Sequence, residues 1–375
     1  MLDLRVGAAL SALPGALGCH LLAAFRSRHT AADVAALTRF DLDAELATLF
    51  TTPEARLRAE RAWLRGRRAL DEAARRAISP LPFGHPSYPP LLACIGDPPP
   101  MLWVAGVTEA MSRPAVAIVG SRAAGPLSLE IAFDLARGLA SQLVVVSGLA
   151  RGVDAAAHRG ALDTGRTVAV LASGVDVIYP SEHRTLADVI ASDGALISES
   201  VPGTPPRRDL FPRRNRLISG LAIGVVVVEA SPRSGSLITA RVALDQGREV
   251  MAVPGPVAGD RHRGAHALIR DGAALVERAE DVLAVLGLDA PALDAAAASQ
   301  PGCQRGDRRD VVDSVLEHMS PGETCDLPHL IAVTGRTAAD LLRRLLALEL
   351  AGLVARVPGG RFFRPVRARK DEVVR

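Results

Sequence analysis

The stretch Ala115-Val116-Ala117-Ile118-Val119-Gly120-Ser121-Arg122 decides the fold. Its first five residues are all apolar, and three are β-branched. A strand with no polar alternation is buried on both faces, as in the middle of a parallel sheet. The next three residues change character abruptly. Gly120 lets backbone amides come close to a ligand, Ser121 adds a hydroxyl, and Arg122 adds a cationic fork suited to phosphate. A Gly turn after a strand is more often only a tight turn, so its neighbours decide what it means. Similar apolar runs recur at 143–147, 167–171, 195–198, 225–229 and 249–253. Helical segments separate them; in 127–140, Leu127, Ile131, Leu135 and Leu139 fall on one stripe. This alternation predicts an α/β domain with an extended Rossmann-like, doubly wound sheet.

Three further blocks flank that core. Residues 1–78 read as a helical N-terminal domain, with Leu17, Leu21, Leu22 and Phe25 at helical spacing. Within it, Leu13-Pro14-Gly15 resembles the turn of a helix-hairpin-helix. Residues 79–114 form a Pro-rich lead-in, expected as a connector packed on the core, so the core unit spans 79–287. Residues 288–308 lack periodicity and read as a linker. Residues 309–366 give three helices and then a hairpin across Pro358-Gly359-Gly360, which is winged-helix order.

Composition narrows the function. The chain has 375 residues, 49% hydrophobic and 23% charged, as expected of a globular protein. No apolar run is long enough for a membrane span. The first residues lack a basic n-region, and Pro14 interrupts their apolar run, which argues against a secretory signal. Cys19, Cys94, Cys303 and Cys325 form no CxxC pair, so neither a zinc site nor a disulfide framework is expected; a reducing cytoplasm fits. The net charge is only +3, and Lys370 is the sole lysine. With Arg used almost everywhere, an Arg cluster is informative only through its placement.

Placement singles out three more turns. Ser147-Gly148-Leu149-Ala150-Arg151-Gly152-Val153-Asp154 joins a strand to a helix, with Asp154 expected to hold the loop. Arg207-Arg208 precede Phe211-Pro212-Arg213-Arg214-Asn215-Arg216, where cations for phosphate accompany an aromatic for a base face. Ser234-Gly235-Ser236 puts small hydroxyl residues at a helix start, behind a strand-end Glu229 expected to pair with an Arg. There is no GxxxxGK[ST], no GxGxxG with a following acid, and no His cluster for a metal, so no nucleotide cofactor or catalytic metal is expected. His158 reads as a local hydrogen-bonding residue.

Taken in order, these turns resemble the DprA (Smf) family of DNA-processing proteins. The matching text runs through Val119–Arg122, Ser147–His158, Gly174, Tyr179-Pro180, Glu182, Phe211–Gly220, Val228–Ala230, Ser234–Ala240 and Val253–Gly255. It departs from the family pattern at His183, at Ala265-His266 and at Pro126–Ser128. The resemblance implies a non-enzymatic single-stranded DNA binder that dimerises, protects strands, displaces single-strand binding protein and loads RecA in transformation and recombination. It implies a strand site built from Ser121, Arg122, Gly148, Arg151, Gly152, Arg208, Phe211, Arg213, Asn215, Ser234, Gly235 and Ser236, with Asp154, Arg216 and Glu229 as structural support. Two alternatives stand beside it. A phosphoribohydrolase-like enzyme of the same fold would align Thr239 with its Thr but Val242 with its catalytic Glu. A duplex-DNA regulator would read bases through the third helix of the winged helix. Removal of residues 300–375 separates the last case: strand binding should survive the deletion, measured by gel shift, if the α/β core carries it.

Overall fold

The computed structural model describes residues 1–13, 15, 17–28, 53–288, 315–319, 324–337, 341, 344–345, 348–349, 353–357 and 361–364. The chain forms two compact units, Met1–Ala298 and Ser299–Arg375. Pro14 of the hairpin-like turn, and the linker beyond Leu288, lie outside the described residues.

In the first unit, all six runs read as strands become strands: β3 Ala115–Val119, β4 Val144–Ser147, β5 Thr167–Val170, β6 Ala195–Ser198, β7 Gly224–Val227 and β8 Glu249–Ala252. The sheet order is β1-β2-β6-β5-β4-β3-β7-β8-β9, with every pairing from β6 to β9 (Ala274–Leu275) parallel. The chain winds outward from β3 to β6, then crosses back to start again at β7. Alternate β3 residues feed opposite cores. Ala115, Ala117 and Val119 face one, with Leu217 and Ile218 of α8 (Leu210–Leu221) and Ala240 of α9 (Gly235–Asp245). Val116 and Ile118 face the other, with α5 (Pro126–Ala140), α6 (Val153–Thr164) and α11 (Ala279–Leu286). Helices on both faces explain why the strands carry no polar alternation. α5 and α6 pack closely because Gly160 lies against the backbone of Phe133, where a Cβ would overlap it.

The Pro-rich lead-in does more than connect. It supplies β1 (Ser79–Pro82) and β2 (Met101–Gly106), which extend the sheet antiparallel beyond β6. Pro80 and Pro82 are tolerated because β1 stands at the edge of the sheet among the described residues. α4 (Pro90–Ala93) lies between the two strands in sequence. On β2, Met101 and Trp103 enter one cluster with Leu2, Leu10, Leu21 and Leu22. These come from α1 (Leu4–Ser11) and its lead-in and from α2 (Leu17–Arg28). α3 (Pro53–Arg75) closes over α1 with Gly66 against the backbone of Ala8 and Ala9. The N-terminal helices and the sheet therefore share a core and belong to one unit. The remaining helices of this unit are α7 (Arg184–Asp193) and α10 (Arg263–Arg270).

The second unit contains β10 (Thr324–Asp326), α12 (Leu327–Thr334), β11 (Ala355–Val357) and β12 (Arg361–Phe363). The expected hairpin forms between β11 and β12, and β10 joins its other side, which the sequence pattern had not indicated. Asp326 caps α12 by accepting a hydrogen bond from the His329 amide at 2.9 Å. Leu341, Leu345 and Leu348 are buried with Leu330, Val354 and Phe362, so these leucines of the expected third helix form the core of this unit.

His158 ties α6 to the sheet. The Thr167 hydroxyl donates to Val145 O at 2.7 Å and so accepts from His158 Nδ1, also at 2.7 Å. Burial, with the nearby Arg214 cation, pushes the imidazole down to about 3. The unfolded chain takes up this proton near pH 6.5 and the folded one does not. Stability from this group is complete above about pH 6.5 and is lost as pH falls toward 3, by up to about 1.4 kcal/mol per pH unit. The His158 ring should stay neutral by NMR at pH 5 while the urea midpoint falls between pH 7 and 5.

Candidate nucleic-acid interface

In an open α/β sheet, ligands bind outside the carboxyl ends of the strands where the winding direction reverses. Here that point lies between β3 and β7. A cavity of about 660 Å³ opens there, reached by the turns after β3, β4 and β7 and by the first turn of α8. It gathers Ser121 and Arg122, Arg208 and Phe211, Asn215, and Ser234, Gly235 and Ser236 around one space. Eight of the twelve residues expected to hold the strand thus meet in one place.

Its rim is cationic and aromatic. The Arg122 guanidinium lies over the Phe211 ring, 5.0 Å from the centroid. Tyr179 meets the same ring edge-on at 5.8 Å and 65°. Such stacking holds the Arg fork and the ring faces in a fixed array at low entropic cost. Arg208 is exposed beside them. On the opposite wall, Ser234 caps α9, accepting from the Ser236 amide at 3.3 Å, and the two hydroxyls are 2.7 Å apart. Asn215 Nδ2 donates to Gly235 O at 3.4 Å, linking α8 to the start of α9. The first turn of α9, with Gly235 and Ser236 on the cavity wall, offers the amides and dipole that favour an anion.

Glu229 shapes the Ser121–Gly125 turn. Its backbone oxygen accepts from the Ser121 amide at 2.7 Å, and its carboxylate accepts from the Gly125 amide at 3.0 Å. Burial works against the charge. Hydrogen bonds from the Gly125 amide and the Ser128 hydroxyl outweigh it, and the carboxyl is held below its usual value. Arg261 adds a cation 3.6 Å away and donates to Ala123 O at 2.8 Å.

The other four expected strand contacts stand elsewhere. Arg151 is engaged by Glu182 through two bonds, at 2.5 and 2.9 Å, outside the cavity wall. Gly148 makes room for the Arg214 guanidinium, which any Cβ there would overlap. Gly152 opens α6 at φ +77°, close against the backbone of Ser121 and Arg122. Arg213 turns toward Glu199 at 3.4 Å. Arg214 lines the cavity instead, buried, donating to Val170 O at 2.6 Å. Burial lowers its pKa to about 10, against the pull of Asp154. Asp154 accepts from the Ala150 amide at 3.3 Å and also lines the cavity. Burial raises its pKa, with Arg214 opposing. Helical spacing carried the signal for Arg214: Phe211, Arg214, Asn215 and Ile218 share one face of α8, while Arg213 and Arg216 lie on another. Tyr179, Ile238 and Thr239 are further wall residues, and all three sit within the Tyr179-Pro180 and Ser234–Ala240 stretches that carry the family resemblance.

The far face of α8 anchors the helix. Arg216 pairs with Glu199, at the end of β6, and with Asp97 at 3.1 Å, donates to Asp97 O at 2.7 Å and reaches Cys19 Sγ at 3.3 Å. Burial, then the Glu199 carboxylate, push the Cys19 thiol up to about 12, so it stays protonated and unreactive. The lead-in, α2, β6 and α8 converge on this one network.

A doubly wound sheet whose switch-point cavity combines cations, ring faces and a helix start carries groups suited to a phosphate-bearing ligand. Comparison with known proteins specifies the family. The model for DNA recombination-mediator protein A matches residues 80–287, and that for the DprA winged helix domain matches 305–360. Protein Smf of Escherichia coli is 40% identical over 291 residues, covering 75% of this chain and 76% of its own. DNA processing protein DprA of Streptococcus pneumoniae is 45% identical over 198 residues, 52% of this chain and 70% of its own. A crystal structure of that protein superimposes with a TM-score of 0.66 at 34% identity, covering 76% of this chain and 98% of that one. DNA processing protein A of Helicobacter pylori, described for its single-stranded DNA binding mode, superimposes with a TM-score of 0.51 at 30% identity, covering 56% and 95%. The chain belongs to the DprA/Smf family, and its C-terminal unit carries the family's winged helix domain. Among the described residues no helix is long and apolar enough to cross a membrane.

Removing one partner of the buried Arg216 network strands a charge. Arg216→Ala should cost about 3–5 kcal/mol in urea unfolding. Arg216→Met with Glu199→Leu should recover most of that loss, because no buried charge is left unpaired at the Arg216–Glu199 pair.

Proposed function

We propose that this chain binds single-stranded DNA in the switch-point cavity, protects the strand and passes it to RecA, without catalysing a reaction. One observation carries the reading: the Arg122–Phe211–Tyr179 array faces the start of α9 across a single cavity. Cations take phosphates, ring faces take bases regardless of sequence, and the amides at the helix start take a further phosphate. The single-strand binding described for the Helicobacter pylori relative supports the same ligand. In this reading Ser121, Arg122, Arg208, Phe211, Asn215, Ser234, Gly235 and Ser236 touch the strand, with Arg214 beneath them. Arg151 joins only if it leaves Glu182, and Gly148, Gly152 and Arg213 act through the loops and helix that they shape. The protein works in the cytoplasm as a homodimer, needs no cofactor, and takes over strands covered by single-strand binding protein.

A hydrolytic role is disfavoured by the chemistry of the cavity. Thr239 lines it, but Val242 stands where a glycosidic-bond enzyme would need its acid. Asp154 is the one carboxylate among the described wall residues, and it is committed to the Ala150 amide. Incubation with AMP should release no free base by chromatography.

Binding of oligo-dT should weaken steeply with salt, with a log–log slope of about −0.7 per phosphate engaged. Arg122→Ala with Arg208→Ala should lower affinity by about a hundredfold and flatten that slope by about 1.4. RecA filament assembly on strands coated by single-strand binding protein should accelerate with the wild-type protein and not with this variant. Unchanged affinity in the double variant would move the strand out of the cavity; binding without faster assembly would leave the cavity and remove the loading role.

A further inference from the structure

α3 carries a surface that the cavity does not explain. One side of this helix is small and buried, with Ala62, Ala69 and Ala73 packed inward and Gly66 against α1. At 3.6 residues per turn, Leu57, Arg61, Leu64, Arg65 and Arg68 share an arc of about 100° away from that side. All five are exposed, Leu57 at 47% and Leu64 at 54%. Among the described residues, the three arginines form no ion pair or side-chain hydrogen bond, whereas Arg75 and Arg76 at the end of the helix are both paired with Glu72.

This arrangement opposes itself in isolation. Arg61 and Arg65 are four apart and Arg65 and Arg68 three apart, spacings at which like charges repel on a helix. Leu64 lies between Arg61 and Arg65 along the helix; the acids three and four residues beyond Arg68 are Asp71 and Glu72, and Glu72 is already paired with Arg75 and Arg76. A row of repelling cations with apolar side chains beside them gains most when a polyanion with apolar faces lies along it. Single-stranded nucleic acid is such a ligand: phosphates on one side, base faces on the other.

The row also leads to the cavity. Arg76, just past the last turn of α3, is 3.6 Å from Asp176. Asp176 lies three residues before Tyr179 in the loop that forms the cavity rim. From Arg76 back to Arg61 the helix spans about 22 Å, so the row lies within that distance of the contact between the helix end and the loop that carries Tyr179.

We infer that the Arg61, Arg65 and Arg68 face of α3 is a second phosphate track, extending the single-stranded DNA path beyond the cavity. This inference rests on the cavity's being a strand site, and strand length separates the two. Oligo-dT of about 6 nucleotides fits the cavity alone; one of about 20 reaches α3 as well.

The test uses the full chain with Arg61→Gln, Arg65→Gln and Arg68→Gln combined, changes that keep helix propensity. Circular dichroism and the thermal midpoint verify folding, and a triple Lys variant restores charge without the Arg fork. The Gln variant should bind the short strand as wild type does. It should bind the long strand about tenfold more weakly, with a salt slope flatter by about 2. The Lys variant should recover most of the long-strand affinity. Equal long-strand affinity and slope in wild type and Gln variant would overturn the second track. Loss of binding to a poly-glutamate peptide with DNA binding intact would also overturn it, assigning the face to an acidic protein. If the short strand fails to bind even to wild type, the cavity reading falls. A long-strand loss in the Gln variant would then place the strand on α3 alone.

Discussion

A parallel sheet covered on both faces has to reverse its winding direction somewhere, and this protein is organised around that reversal. Crossovers from β3 run one way to β6, and those from β7 run the other way to β9. The connections leaving β3 and β7 therefore part, and no crossover covers the gap between them. Backbone amides at the strand ends face that opening. Most of the residues that line the cavity lie in turns or helix starts at those strand ends.

α8 turns that opening into a site. One face presents Phe211, Arg214 and Asn215 to the cavity, and the other buries Arg216 against Glu199, Asp97 and Cys19. A helix carrying five arginines within its length and the loop before it would be expected on the surface. Two of these cations are instead buried, and each is held by acceptors drawn from segments distant in sequence. Glu229 does the same for the Ser121 turn from beneath, with its carboxylate committed to the Gly125 amide. Glu199 and Asp97 are engaged by the buried Arg216, while among the described residues Arg122 and Arg208 at the rim form no ion pair.

The exposed Arg151–Glu182 pair marks the limit of reading charges from sequence. Arg151 sits in a Gly-flanked turn after β4, just where a phosphate contact is expected, yet Glu182 lies 31 residues on and reaches it. Arg213 is likewise taken by Glu199. The distinction between Arg213 and Arg214 was available in the helical period from Phe211. The whole run is dense in charge, and the helical period divides it into two faces. The Pro-rich lead-in reads as a connector packed on the core, and two of its prolines, Pro80 and Pro82, stand in a strand at the end of the described sheet order, where a missing amide costs little.

By itself the sequence determined the strand set, the doubly wound class, the ordered turns that mark the family and the hairpin of the C-terminal unit. These follow from local periodicity and from residue types with narrow conformational or chemical uses, which need only neighbours in the chain. The tertiary structure alone decided which arginines face the cavity, which acids neutralise the others, and that the lead-in and N-terminal helices share a core with the sheet. Those outcomes depend on pairs far apart in the chain, such as Arg216 with Cys19 and Glu229 with Gly125, brought together by packing. Whether a charge meets solvent or a partner is set by burial, and burial is a property of the assembled fold.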